Sequence, residues 1–281
     1  MLEFINVSIS YNTDLYLSLD KGAAVHDLNM SLEAGKVLGL AGESGCGKST
    51  IAKALLGILP AYASIKGEIL YKGRNILTMP RRERDLLRGR EISMIFQDPN
   101  AALNPIRKIH RQFYDILQTS EKGFKKGSEK GSENGSENSS EKGKSALNRR
   151  IEKELSAVHL PEPGMIMEKY PPQLSSGMKQ RVVIAAAICK RPQLLIADEP
   201  TSALDASVRP RIIDEIARIK RENNLTILYI SHDLAELERI CDYIMVMQSG
   251  KVIEYGSAEQ IINRPEEEYT KTLIEAAFGG Y

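Results

Sequence analysis

The sequence predicts an α/β fold built on a largely parallel sheet. Three observations carry that reading: short apolar runs of strand length, helical-period stretches between them, and a glycine-rich loop joining one run directly to a helix. Taken in order, Leu2 to Ile9 alternates apolar and polar residues, as a half-buried strand does. Lys36 to Ala41 is a short apolar run stopped by glycine, and a helical stretch follows from Lys48 to Leu56. Ile92 to Phe96 and Leu194 to Ala197 are further buried-strand candidates. Val208, Ile212, Ile213, Ile216 and Ile219 fall at helical spacing, and Leu225 to Ile230 then reads as a strand. Tyr243 to Met247 and Lys251 to Tyr255 flank Gln248-Ser249-Gly250, a hairpin signal. Residues 106–190 carry no strand signal and are expected to form a helical insertion.

One segment stands apart from this alternation. Glu121 to Ser145 repeats Gly, Ser, Glu, Lys and Asn around a single large apolar residue, Phe124. Such a segment buries too little surface to offset its ordering entropy, so residues 121–145 are expected to be a flexible low-complexity insertion.

Composition narrows the class. Of 281 residues, 42% are hydrophobic and 27% charged, enough to bury a sizeable core. Thirty-eight basic residues against thirty-seven acidic ones leave a charge of +1, which speaks against a nucleic-acid partner held by bulk electrostatics. The longest apolar run, Val182 to Cys189, is far short of the ~20 residues that span a bilayer. No signal-peptide pattern opens the sequence, and Cys46, Cys189 and Cys241 have no metal-type spacing. They read as free thiols of a reducing cytosol.

The strongest local signal is Gly42-Glu43-Ser44-Gly45-Cys46-Gly47-Lys48-Ser49-Thr50, which fits G-x-x-x-x-G-K-[ST] between a strand and a helix. The glycines let backbone N–H groups turn around phosphate oxygens, and the helix N-terminus adds its positive dipole end. Lys48 would reach the β- and γ-phosphates, and the Ser49 hydroxyl would ligate Mg²⁺. Farther on, Leu194 to Ala197 ends in Asp198-Glu199. An apolar strand closing on two carboxylates suits Asp198 as a holder of Mg²⁺ and Glu199 as the group that polarises an attacking water.

With these residues in place the chain resembles the ATP-binding subunits of ABC transporters, whose other landmarks occur here in the family's order. Ile95-Phe96-Gln97-Asp98 is similar to the Q-loop, and Leu174-Ser175-Ser176-Gly177-Met178 stands where the family usually has Leu-Ser-Gly-Gly-Gln. Ser202-Ala203-Leu204-Asp205 resembles the D-loop, and Ile230-Ser231-His232-Asp233 the H-switch. The resemblance implies a P-loop NTPase (RecA-like) core with an antiparallel β subdomain and an inserted α-helical subdomain, in one domain over 1–281. It implies ATP and Mg²⁺ as ligands, Gln97 as a sensor of the metal and the γ-phosphate, and His232 on the γ-phosphate. Ser175 and Gly177 would face the γ-phosphate bound by a second subunit. Ser176 adds a Cβ where close backbone approach is expected, and Met178 replaces the usual Gln. Tyr11 would stack on adenine, with Tyr16 as the competing choice.

Arg88 to Pro99, Leu103-Asn104-Pro105, Tyr170 to Leu174 and the tail from Arg264-Pro265 to Leu273 resemble the oligopeptide, dipeptide and nickel importers. The short tail leans towards the nickel-type subunits. The group's properties imply a subunit at the cytoplasmic face of the membrane, bound to separate permease subunits and paired with a second ATP-binding subunit, a heterodimer being favoured. An extracellular binding protein would deliver peptides or nickel chelates. The alternatives are a soluble ABC-type ATPase with a non-transport partner, or a poorly hydrolysing regulatory subunit.

Overall fold

The computed structural model describes residues 1–11, 23–122, 137–202 and 204–279. Along the chain, β1 (Leu2–Tyr11) and β2 (Ala23–Leu32) precede β3 (Val37–Ala41) and α1 (Lys48–Leu56). Next come β4 (Ala63–Tyr71), β5 (Arg74–Asn75), α2 (Arg81–Arg90) and β6 (Ile92–Ile95). Helices α3 (Pro99–Ala102), α4 (Ile109–Lys122), α5 (Glu137–Ala157), α6 (Pro163–Glu168) and α7 (Ser176–Ile188) lead to β7 (Leu194–Asp198). The chain continues through α8 (Arg209–Asn223), β8 (Thr226–Ile230), α9 (Leu234–Ile240), β9 (Tyr243–Gln248) and β10 (Lys251–Ser257). Helices α10 (Ala258–Asn263) and α11 (Glu268–Phe278) close it.

The main sheet has the order β10-β9-β3-β8-β7-β6, parallel from β9 to β6 and antiparallel only at the β9–β10 hairpin. Strands β3, β7 and β8 are buried throughout, as expected of parallel strands covered on both faces. Alternate residues feed two cores. Leu38, Leu40, Leu194 and Ile196 pack with α1 and the smaller sheet, while Val37, Ala41, Leu195 and Ala197 pack towards α7, α8 and α9. Each buried Leu or Ile contributes roughly 1.5–3 kcal/mol, so the two cores fix the ends of β3, β7 and β8 where the site forms.

The smaller sheet is antiparallel, in the order β2-β1-β4-β5. Neither β2 nor β4 shows a clean apolar alternation: β2 is bulged at Asp27, and β4 keeps its register but has no side chain at Gly67 between the inward Ile65 and Ile69. Asp27 (φ 43°) interrupts the inward series Val25, Leu28, Met30, Leu32. Gly67 (φ 89°) in β4 crosses β1 at Asn6 (φ 48°), where a Cβ would lie 2.3 Å from the Asn6 carbonyl oxygen.

Among the described residues of 106–190 the elements are α4 to α7 and a 3-10 turn at Pro171–Gln173. Of the low-complexity segment 121–145, α4 takes residues 121–122 and α5 takes residues 137–145; residues 123–136 lie outside the described residues.

Candidate active site

The loop from Gly42 to Lys48 takes its shape from glycines that no other residue replaces cheaply. Gly42 has φ 137° and Gly47 φ 107°, and a Cβ on them would meet the Met247 and Ala24 carbonyl oxygens at 2.2 and 2.4 Å. The loop is further tied to the β9–β10 turn, where the Gly250 N–H donates to the Cys46 carbonyl at 3.2 Å. Helix α1 starts at Lys48 with no side-chain cap and no acidic residue in its first turn, which leaves an electropositive N-terminus facing the loop. Lys48 is 5% exposed, and its Nζ donates to the carbonyls of Gly42 and Glu43 at 2.6 and 2.8 Å. Its ammonium therefore stands inside the loop.

Four further residues converge on that loop from the ends of the parallel strands. The Ser49 hydroxyl donates to Asp198 Oδ1 at 3.0 Å. Burial pushes the Asp198 carboxyl up from its ordinary value, the Ser49 hydrogen bond draws it down, and the adjacent Glu199 charge raises it again. Glu199 follows in the left-handed region at φ 45°, its N–H donating to the Ile230 carbonyl at 2.9 Å. Gln97, just beyond β6, donates its amide to Glu199 Oε2 at 2.7 Å, and His232 Nδ1 lies 3.2 Å from Glu199 Oε1. One carboxylate thus joins the Q-loop to His232, two residues beyond β8. Topology makes this meeting possible, because β6, β7, β8 and β3 are neighbours in the sheet and all end on the same side.

Tyr11 ends β1 with its hydroxyl 3.2 Å from Thr50 Oγ1 and its ring 6.0 Å from that of Tyr62. Tyr16 lies outside the described residues. Ser175, Gly177 and Asp205 form a separate group. Ser175 is exposed and caps α7, accepting from the Met178 N–H at 3.3 Å. Gly177 sits inside α7 with the nearest atom to a Cβ, Leu204 Cδ2, at 3.9 Å. Asp205 is exposed, and its carbonyl accepts from the N–H groups of Val208 and Arg209. Ser44 and Gly45 are exposed as well, so the two groups border solvent.

Two residues that make contacts here have no counterpart in the sequence motifs. Tyr269 of α11 accepts from the Glu43 N–H at 3.4 Å. Glu236 of α9, 5% exposed, accepts from the hydroxyls of Thr201, Tyr229 and Ser231. Its only sequence signal is an acidic residue beside Leu234 and Leu237, the inward positions of a short helix.

A glycine cradle for phosphates, hard oxygen donors on Ser49 and Asp198, and a carboxylate aimed beside them define a nucleotide hydrolase of the P-loop class. The chain belongs to the ABC transporter family, as an ATP-binding ATPase cassette: the family's model matches residues 25–202. The oligopeptide transport ATP-binding protein OppD of Haemophilus influenzae is 43% identical over 253 residues, covering 90% of this chain and 72% of that protein. The dipeptide transport ATP-binding protein DppD of Bacillus subtilis is 36% identical over 253 residues, covering 89% and 70%. Among solved structures, a dimeric ATP-binding cassette in a post-hydrolysis state with ADP and phosphate superposes with a TM-score of 0.73. It is 23% identical and covers 92% of this chain and 99% of its own. Fold and family agree with the reading from the motifs, including the antiparallel sheet beside the parallel core.

Proposed function

We propose that this chain hydrolyses Mg²⁺-ATP to drive peptide uptake through separate permease subunits. The observation that carries the hydrolytic part is the contact of Glu199 with both Gln97 and His232, beside the Ser49–Asp198 pair. The peptide part is supported by relatives named for oligopeptide and dipeptide transport.

In this reading Lys48 exchanges its carbonyl partners for phosphate oxygens, which are stronger acceptors. Backbone N–H groups from Gly45 to Thr50 line the same anion. Ser49 and Asp198 would hold Mg²⁺, with Gln97 at its edge; when bound, the metal offsets phosphate charge. Glu199 orients and deprotonates water, and His232 faces the γ-phosphate from the end of the neighbouring strand β8. Tyr11 provides the surface for adenine. Ser175, Gly177 and Asp205 serve a nucleotide held by a second subunit, a sibling chain in a heterodimer, so each site is completed across a head-to-tail pair.

This chain has a surface suited to a membrane partner. A cleft of about 350 Å³ beside the Q-loop is lined by Ile58, Met94, Phe96, Phe113, Ile116 and Val183, and Phe96 is 41% exposed. An apolar helix of a permease fits such a groove. Among the described residues no helix is long and apolar enough to cross a membrane. The relatives named for oligopeptide and dipeptide transport support reading the subunit as peripheral, on the cytoplasmic side, with a binding protein outside.

Uptake in a strain lacking this chain tests the reading. Labelled di- and tripeptide uptake is expected to fall to background while nickel uptake is unchanged, with rescue by the wild-type chain and none by Lys48→Ala. Loss of nickel uptake alone would transfer the subunit to metal import. No change in either would overturn import and favour a non-transport partner.

A further inference from the structure

Behind the Glu199–His232 pair lies a polar cluster sealed from water. Thr201, Tyr229, Ser231 and Glu236 are 2, 0, 2 and 5% exposed. The Ser231 hydroxyl donates to Glu236 Oε2 at 3.0 Å and Tyr229 Oη to the same oxygen at 3.3 Å, while Thr201 Oγ1 donates to Oε1. A carboxylate taken out of water is costly unless its lone pairs are filled, and here hydroxyls fill them. Tyr229 stays a donor because burial, and then the Glu236 charge, push its phenol well above the ordinary value.

The donors are placed where the chemistry needs rigidity. Thr201 lies in the turn that follows Glu199, where the Ser202 N–H returns to the Glu199 carbonyl at 3.2 Å. Ser231 immediately precedes His232, and its hydroxyl also accepts from the Asp233 N–H at 3.0 Å. Glu236 therefore ties together the two backbone segments that carry Glu199 and His232, whose side chains meet 3.2 Å apart on the solvent side.

We propose that Glu236 is a positioning residue for hydrolysis, fixing Glu199 against His232 through Thr201 and Ser231. The proposal rests on Glu199 and His232 acting in hydrolysis as read above. A misplacement of the order of 1 Å at a reacting group costs up to about 100-fold in rate.

The test uses the full chain with three variants, Glu236→Gln, Glu236→Val and Thr201→Val, and Glu199→Gln as the control. Glu236→Val and Thr201→Val are expected to lower kcat for ATP about 10-fold while KM changes less than about 2-fold. Glu236→Gln, which still accepts from hydroxyls, is expected to recover most of the rate. A second readout needs no turnover: with four histidines in the chain, the ring resonances of His232 are assignable by His232→Gln. They are expected to move in Thr201→Val and Glu236→Val, with those of His26, His110 and His159 in place. Unchanged His232 resonances and kcat in a folded Thr201→Val would overturn the proposal. So would a kcat that tracks only the folded fraction. Full hydrolysis in Glu199→Gln would instead overturn the underlying reading of the site.

Discussion

The two surfaces to which the proposed function assigns a role are built to opposite rules. Around the loop 42–50, conformation is enforced from within: two glycines press against carbonyl oxygens, Lys48 is buried, and Glu199 is held in a left-handed conformation between two strands. Around Ser175, Gly177 and Asp205 the side chains are exposed or have room, and a Cβ on Gly177 would have only a van der Waals neighbour at 3.9 Å. The first surface gets its geometry from its own chain. In the function proposed above, the second meets its geometric demand only against another subunit, and defects there are expected to be invisible to the folded monomer.

Chemistry breaks the comparison most sharply. Glu199→Gln keeps the shape of a residue whose carboxylate accepts from Gln97 and contacts His232, yet removes its basicity. Loss of a positioned general base costs about 10²- to 10⁴-fold, so ATP hydrolysis is expected to fall by at least 100-fold. Binding of a fluorescent ATP analogue should stay within a few-fold. Retained hydrolysis would remove Glu199 from its assigned role.

A pair of identical substitutions comes next. Gly47→Ala forces a methyl towards the Ala24 carbonyl oxygen, 2.4 Å away, at φ 107°. Backbone strain and overpacking together are expected to cost about 2–5 kcal/mol, roughly 3–9 °C in melting temperature. Gly177→Ala sits in a helix with space, and helix propensity makes it neutral or stabilising by up to about 1 kcal/mol. Its penalty should appear only in hydrolysis by the assembled dimer. Equal melting temperatures for the two variants would erase the distinction between the surfaces.

The same contrast explains what could be read from the sequence. Strands β3, β7 and β8 and helix α1 are legible because parallel strands are continuous apolar runs and because Gly47-Lys48 fixes where α1 starts. Strand β2 escapes because the bulge at Asp27 breaks the period of two that alternation needs, and β4 because Gly67 leaves a gap in the inward series Ile65, Ile69, Tyr71. Motifs name Gln97, Glu199 and His232 separately, but only the sheet order brings them into contact. Glu236 is harder still: its partners are 35, 7 and 5 residues away, and nothing in Leu234 to Ile240 marks an acidic residue as buried.

Ser176→Gly restores the family's usual glycine and gives the smallest effect expected here. In this chain Ser176 is the first residue of α7, exposed and outside the left-handed region, so its Cβ costs nothing locally. Serine is the better helix residue by a few tenths of a kcal/mol, and Gly at this position should shift stability by no more than about 0.5 kcal/mol. Met178 bears on the same turn. A Gln there would sit three residues after the cap, able to reach back to the Ser175 N–H as a capping box does, and a thioether cannot. In the segment Leu174 to Met178, Ser175 is therefore the side chain that caps the start of α7. In the isolated chain Ser176→Gly should leave both melting temperature and ATP binding unchanged. In the dimer it should raise hydrolysis at the site whose loop belongs to the other subunit, if the extra Cβ hinders close approach. A change in the isolated chain larger than about 1 kcal/mol would show that the signature surface is constrained by its own fold after all.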